Sequence, residues 1–313
     1  MDTHPLHLVT GALGYTGKAI TEQLLERSIR VRTLTNSPDR QNPFGDQLDI
    51  RTMDFDDHAA LVDAFTGVSV FYNTYWVRFN HKGFNFEQGI EHSKKLFAAA
   101  KEAGVEKIVH VSIMHADQAD DLGYYKGKHE LEDAIKGLGV PYALVRPGAM
   151  FGRNDILINN IAWTLRRLPI FGTFGNGSYR MRPIHVEDMA SLMIEQGQAA
   201  GSATVDAVGP ESYTYKEFVE LIGSIVGISK PIASVPPIVG YWVSKLVNVM
   251  VQDVVITREE IKGLMRGLLD SDQAATGTVK LSEYIKEHKH TLGKRYANEI
   301  KRRTDRLSSY DKI

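Results

Sequence analysis

"TGALGYTG", Thr10–Gly17, closes the short apolar run "LHLVT" and opens the helix-like run "YTGKAITEQLLERS". Ala19, Ile20, Leu24 and Leu25 form one apolar stripe at helical spacing in that run. Three glycines, Gly11, Gly14 and Gly17, therefore fall at a strand-to-helix junction. Gly11 suits a tight turn, Gly14 lets backbone come close to a ligand, and Gly17 lets the helix pack on the strand. The helix start, with Tyr15 and Thr16, offers free N–H groups and the positive end of a dipole, which together hold a diphosphate. The spacing is G-x-x-G-x-x-G rather than the G-x-G-x-x-G of many dehydrogenases. Position carries the inference: three glycines after a strand and before an amphipathic helix predict a dinucleotide loop.

The same alternation continues along the chain. Strand candidates are "VRTLT", "LDIRTMD", "VSVFYN", "KIVHVS" and "YALVRP"; helix candidates between them are "DHAALVDAF", "FEQGIEHSKKLFAAAKEAG" and "KGKHELEDAIKGL". Several strands are apolar almost throughout, as parallel strands covered on both faces must be. An α/β fold follows, with a doubly wound parallel (Rossmann) sheet. After about residue 150 the pattern becomes irregular and rich in Gly, Asn and Arg. "HVEDMASLMIEQG" and "SATVDAVG" then resume a helix and a strand able to rejoin the sheet, and the chain is mostly helical from Tyr213. The expected division is a dinucleotide domain over residues 1–150 and 183–209, with a smaller, mostly helical lobe over residues 151–182 and 210–313.

Composition narrows the function classes. The 313 residues are 43% hydrophobic and 24% charged, with a formal net charge of −1. That balance gives no global electrostatic reason to bind nucleic acid. Cysteine is absent, which excludes disulfides, thiolate metal sites and cysteine nucleophiles. No His, Asp and Glu set has metal-ligand spacing, and no G-x-S-x-G elbow occurs. The N-terminus shows no basic-then-apolar leader, so the expected location is cytoplasmic. The apolar stretch "PPIVGYWVSKLVNVMVQDVV" is interrupted by Lys245 and Asp253 and falls short of the about 20 mainly apolar residues of a membrane span. A buried or lid-forming helix is expected over 237–252, with docking to a membrane surface or a protein as the alternative. Residues 286–306 carry eight Lys or Arg against three acids, the pattern of a solvated helix face.

The end of the second strand separates the two nicotinamide dinucleotides. An acid there accepts from a ribose 2′-hydroxyl, whereas a base suits a 2′-phosphate. The segment reads "TLTNSPDR": Asn36 stands in the acid's place and Arg40 follows, which favours NADP over NAD.

These motifs, in this order, resemble the short-chain dehydrogenase/reductase superfamily in its extended or atypical branch, from Leu6 to about Val235. "TGALGYTG" resembles the nucleotide loop of that branch. The resemblance implies that Asp54 and Phe55 of "MDFDD" meet the adenine, and that Asn73, Thr74 and Tyr75 of "FYNTY" lie beside the cofactor. "VHVSIMHAD" resembles the fifth strand, ending at Ser112. "LVRPGAMFG", with Pro147, resembles the segment lining the nicotinamide side, and "RPIHVEDMA" a later signature of the branch.

A tyrosine and a lysine four residues apart share one helix face. The chain has two such pairs, Tyr124–Lys128 in "YYKGKHELED" and Tyr241–Lys245 in "YWVSK". Only Tyr124 follows the fifth strand and precedes "VRPG", so only the first pair matches the family's catalytic position. There the resemblance implies Tyr124 as general acid/base, Lys128 lowering its pKa and holding the nicotinamide ribose, and Ser112 orienting the reacting oxygen. The departures leave a second possibility open. The loop "SIMHADQADDLG" lacks the double serine and Tyr-Gly of sugar-nucleotide epimerases, and "KHELE" equally fits atypical relatives that keep the lysine without the tyrosine.

Asn154, Asn159, Arg166, Arg180 and Arg182 are candidates to meet an anionic or polyhydroxylated ligand, and His185 is expected to be structural. Two functions stay open. One is an NAD(P)-dependent oxidoreductase or epimerase/dehydratase-like enzyme acting by hydride transfer on a small carbonyl, alcohol or sugar-like substrate. The other is a non-catalytic NADP(H)-binding accessory or redox-sensor protein, since the complex I nucleotide-binding accessory subunit and nitrogen-metabolite-repressor-like proteins resemble this core.

Overall fold

The computed structural model describes residues 5–312. The sequence-based expectation of a leader-free N-terminus falls partly on residues 1–4, which lie outside the described residues. The chain divides into two compact units. The first holds the described residues up to Arg146, with Met189–Asp206 and Leu307–Ser309; the second holds Pro147–Asp188, Ala207–Arg306 and the residues from Tyr310 onward.

The first unit alternates strand and helix: β1 (Leu6–Thr10), α1 (Tyr15–Glu26), β2 (Arg30–Thr35), β3 (Leu48–Thr52), α2 (His58–Phe65) and β4 (Val68–Asn73). Then come α3 (Phe86–Glu102), β5 (Lys107–Val111), α4 (Gly123–Lys136) and β6 (Tyr142–Pro147). Asp57 and Asn85 cap α2 and α3 by accepting from the backbone N–H groups of Ala60 and Gln88. The central sheet has the order β11-β6-β5-β4-β1-β2-β3, with β11 at Ala203–Ala207. The pairings among β1 to β6 are parallel. The order runs outward to β3 on one side of β1 and restarts with β4 on the other. A topological switch point therefore lies between β1 and β4, where open α/β sheets bind ligands at the strands' carboxyl ends. Leu8, Phe65, Phe71, Leu96, Phe97, Ile108, Leu131 and Ile135 form the core between this sheet and its helices. This is the doubly wound sheet expected from the alternation.

The second unit begins with β7 (Met150–Phe151), α5 (Leu157–Arg167), β8 (Phe171–Phe174), β9 (Arg180–Met181) and β10 (Ile184–His185). The helix α6 (Val186–Gln198) runs from the second unit's span into the first, ahead of β11. The second unit resumes with β12 (Tyr213–Thr214), α7 (Tyr215–Ile225), β13 (Ile232–Val235), α8 (Pro237–Val251), α9 (Arg258–Met265), α10 (Leu281–His288) and α11 (Glu299–Thr304). One stretch that reads as irregular is a helix. In α5 the residues Ile158, Ile161, Ala162 and Leu165 are buried at i, i+3, i+4 and i+7. Asn159 and Asn160, weak helix formers, hide that period in the sequence. Their amides instead tie α5 to the carbonyl groups of Arg295 and Ala297. Among the described residues, no helix is long and apolar enough to cross a membrane.

Candidate functional site

At the switch point the glycine turn is tight and depends on its glycines. Gly11 has φ +68°, a left-handed conformation, and its carbonyl accepts from Gly14 N–H at 2.8 Å. A Cβ on Gly17 would lie 2.3 Å from that carbonyl oxygen, so no larger residue fits there. A Cβ on Gly14 would come within 3.2 Å of the same atom. The turn is anchored from below: Ala12 N–H donates to Thr33 Oγ1, which donates to the Val9 carbonyl at 2.7 Å. Gly14, the residue ahead of α1, has no side chain with which to cap the helix, and Tyr15 and Thr16 form the first turn. A concave backbone turn leading into a helix start fits the diphosphate of a dinucleotide.

Beyond β2, Asn36 is exposed at the strand end, and its Oδ1 accepts from Ser37 Oγ. Arg40 is buried in the following turn, where its N–H donates to the Ser37 carbonyl. After β3, Asp54 is exposed and takes the Asp56 N–H. Phe55 stacks on His92 of α3, with centroids 3.8 Å apart and planes 9° apart. The Tyr75 hydroxyl bonds His92 Nδ1 at 2.9 Å. His92 thus joins Phe55 and Tyr75, residues from two different loops, and burial lowers its pKa.

Asn73 works inside the sheet. Its Oδ1 accepts from Thr10 Oγ1 and from the Tyr75 N–H, and its Nδ2 bonds His110 Nδ1 at 3.0 Å. Thr74 doubles the link to β1, donating Oγ1 to the Thr10 carbonyl at 2.6 Å while its N–H donates to Thr10 Oγ1. These bonds lock the ends of β1, β4 and β5 together. His110 is wholly buried, so desolvation holds it neutral, aided by the charge of Lys128.

On α4, Lys128 is almost fully buried, at 2% exposure. Its Nζ donates to the Val111 carbonyl at 2.6 Å and lies 4.6 Å from the centroid of the Trp76 indole. Desolvation lowers its pKa to about 7, opposed by the charge of Glu132. Trp76 stacks on Phe86, and the Tyr124 ring meets both edge-on. Gly127 makes room for this cluster: a Cβ there would lie 2.7 Å from the indole. Ser112 donates its hydroxyl to the wholly buried Glu132 carboxylate at 2.6 Å. Arg146 pairs with the same carboxylate through Nε and Nη2. The structure therefore brings Tyr124 and Lys128 around Trp76, while Ser112 belongs to the Glu132–Arg146 ion pair. Pro147 ends β6 and is buried.

Trp76, His92, His110, Glu132 and Arg146 complete these networks, and none was singled out from the sequence. Glu132 and Arg146 do stand inside the quoted "KHELE" and "LVRPG", and Trp76 follows "FYNTY" directly. The candidate ligand-reading residues of the second unit are bound to groups of that same unit, mostly backbone. Arg166 donates to the Leu292 and Lys289 carbonyls, and Arg182 to those of Gly209, Ser271 and Gln273. Arg180 bonds Ser212 and pairs with Asp270, Asn159 accepts from the Gly293 N–H, and the Asn154 carbonyl accepts from Arg302. His185 Nδ1 accepts from the Glu187 N–H, and burial lowers its pKa. In the second Tyr–Lys pair, Lys245 and Arg258 both approach the Tyr241 ring.

Comparison with known proteins agrees with this geometry. The NAD(P)H-binding family matches residues 11–196, more than half the chain. Mitochondrial NADH dehydrogenase (ubiquinone) 1 alpha subcomplex subunit 9 of Arabidopsis thaliana is 24% identical over 229 residues, 70% of this chain and 57% of that protein. The chain thus spans less than two thirds of the length of such relatives. The ceramide reductase of Caulobacter vibrioides is 23% identical over 239 residues, 75% of each chain. Among solved structures, the triphenylmethane reductase of Citrobacter sp. superposes with a TM-score of 0.77 at 16% identity, covering 92% of this chain and 100% of that one. A glycine turn that only glycine can form, at the switch point of a doubly wound sheet, and this family match have one conclusion: the chain belongs to the NAD(P)H-binding family, within the extended short-chain dehydrogenase/reductases.

Proposed function

We propose that the protein is an NAD(P)-dependent oxidoreductase acting on a small carbonyl or alcohol, with NADP(H) preferred over NAD(H). The observation that carries this is the cradle in which Gly17 cannot accept a Cβ, since that tightness leaves the Gly11–Gly14 backbone open to a diphosphate. Tyr15 and Thr16 bind the diphosphate through the helix start. Asn36 and Arg40 receive the 2′-phosphate, because no acid at the β2 end repels it. Asp54, Phe55 and Tyr75 hold the adenine half, and Thr74 orients the ligand beside Gly11. When bound, the nicotinamide supplies hydride chemistry. Tyr124 moves the proton at the substrate oxygen, and Lys128 favours its phenolate while protonated.

The bond from Ser112 to Glu132 favours a second reading, binding without turnover, since it occupies the hydroxyl that would orient a substrate. The Arabidopsis relative is named as a subunit of a larger assembly, which supports the same reading. One set of measurements separates the two: calorimetric titration with NADPH and NADH, then cofactor oxidation over a panel of aldehydes, ketones and quinones, on wild type and Tyr124→Phe. Turnover lost in the variant with unchanged cofactor affinity supports the enzyme. Tight cofactor binding with no oxidation on any substrate supports the accessory role. Tighter binding of NADH than NADPH overturns the Asn36–Arg40 assignment, and uptake of neither removes both readings.

A further inference from the structure

Helix α8 is built inside out. On a helix facing water, polar residues point outward and apolar ones point to the core. In α8 the polar Ser244 is buried and Asn248 half-buried, with Ser244 donating to the Tyr241 carbonyl and Asn248 accepting from the Val255 N–H. The outward face is apolar instead: Trp242 is 61% exposed, Leu246 74% and Val249 79%, with Ile238, Val239 and Met250 extending the stripe. Of the ten large hydrophobic residues exposed among the described residues, seven lie on this helix, so the patch is local rather than scattered. The helix is held in place from beneath, where Gly240 approaches Phe174 and Val235 closely.

The surroundings say what covers it. The helix carries one charge, Lys245, and no acid. Its C-terminal end is tied to the basic segment of the chain. Asn298 Nδ2 donates to the Val251 carbonyl, and Asp253 accepts from the backbone N–H groups of Glu299 and Ile300. In that segment Lys286, Lys289, Lys294, Arg295 and Lys301 are exposed, against one exposed acid, Glu287. An apolar stripe with a tryptophan and a lysine, its C-terminal end tied to a basic segment, complements a surface that is apolar beneath and negative above. The whole of α8, at 15 residues, is about 22 Å long, too short to cross the about 30 Å hydrocarbon core.

We propose that α8 seats the protein on an anionic lipid surface, with Trp242, Leu246 and Val249 entering the headgroup–acyl boundary and the 286–301 lysines and arginine meeting the phosphates. This stands independently of the oxidoreductase assignment, because it uses neither the dinucleotide cradle nor α4.

The test is sedimentation of the full chain with vesicles of phosphatidylcholine alone and of phosphatidylcholine with 30% phosphatidylglycerol, with tryptophan emission recorded alongside. Of the three tryptophans, Trp76 and Trp163 are half-buried and Trp242 is exposed, so a blue shift reports chiefly on α8. Binding to the anionic vesicles is expected, weakening as salt rises, with much less on phosphatidylcholine alone. Leu246→Asn with Val249→Asn, both at exposed positions, should weaken partition about tenfold or more. Lys286→Gln with Lys289→Gln and Lys294→Gln should weaken it only on the anionic vesicles. No sedimentation with anionic vesicles overturns the proposal, as does a Leu246→Asn/Val249→Asn variant that sediments like wild type. A lipid-free dimer that this double substitution dissociates also overturns it, and would identify a second copy as the occupant.

Discussion

The Ser112 hydroxyl donates to Glu132 Oε1 at 2.6 Å, and that carboxylate is at the same time paired with Arg146. The serine that ends the fifth-strand motif is therefore part of a buried ion pair reaching from β5 through α4 to β6.

Removal of the two partners should separate their roles. Ser112→Ala takes away one bond to a charged acceptor and should cost about 1.5–3 kcal/mol, with nicotinamide dinucleotide affinity unchanged. Glu132→Ala leaves Arg146 without its carboxylate in a mostly buried position and should cost about 3–5 kcal/mol. Urea unfolding of both variants checks the order; a Ser112 variant as damaging as the Glu132 variant would contradict it.

Gly17→Ala should disrupt the cradle. The added methyl group would meet the Gly11 carbonyl at 2.3 Å, and a backbone atom cannot give way as a side-chain tip can. A cost of about 1–3 kcal/mol or more is expected from overpacking, together with loss of dinucleotide binding. Thermal unfolding and titration with NADPH measure the two effects separately.

Acid should loosen the first unit through its buried imidazoles. Burial lowers the His7 pKa from 6.5 to about 4, and it lowers that of His110 in the same direction. Between pH 6.5 and 4 the unfolded chain binds protons that the folded chain refuses, so stability is full above pH 6.5 and is lost as pH falls toward 4. For His7 alone the loss is about 3 kcal/mol at 1.36 kcal/mol per pH unit. Unfolding midpoints across that range should fall less steeply in His7→Leu than in wild type.

Lys128 should show its burial at the other end of the pH scale. Its pKa falls from 10.5 to about 7, so below pH 7 the folded state carries the full cost of a buried ammonium. That cost is relieved as pH rises from about 7 to 10.5, where only the unfolded chain keeps the proton. Lys128→Met should therefore gain most in melting temperature, relative to wild type, below pH 7, and the gap should shrink toward pH 10. A gap that does not change with pH would show that Lys128 is not titrating in the fold.

The sequence alone determined the fold class, because periodicity and glycine placement are local properties. Alternating apolar strands, an amphipathic helix and glycines at their junction specify a doubly wound sheet wherever they occur in that order. The Tyr124–Lys128 spacing was legible for the same reason, since i and i+4 share a helix face in any surroundings. The irregular look of α5 shows the limit of local reading: two asparagines conceal a helix whose apolar face is stabilised by packing rather than by propensity. What only the tertiary structure decided is which polar groups are already occupied. Trp76 covers Lys128 across 52 residues of chain, and Glu132 receives Ser112 across 20 and Arg146 across 14. The outward apolar face of α8 belongs here too, because a helical pattern shows that a stripe exists but not which side the rest of the chain will cover. Such contacts depend on how strands and helices stack, and sequence spacing carries no record of that distance.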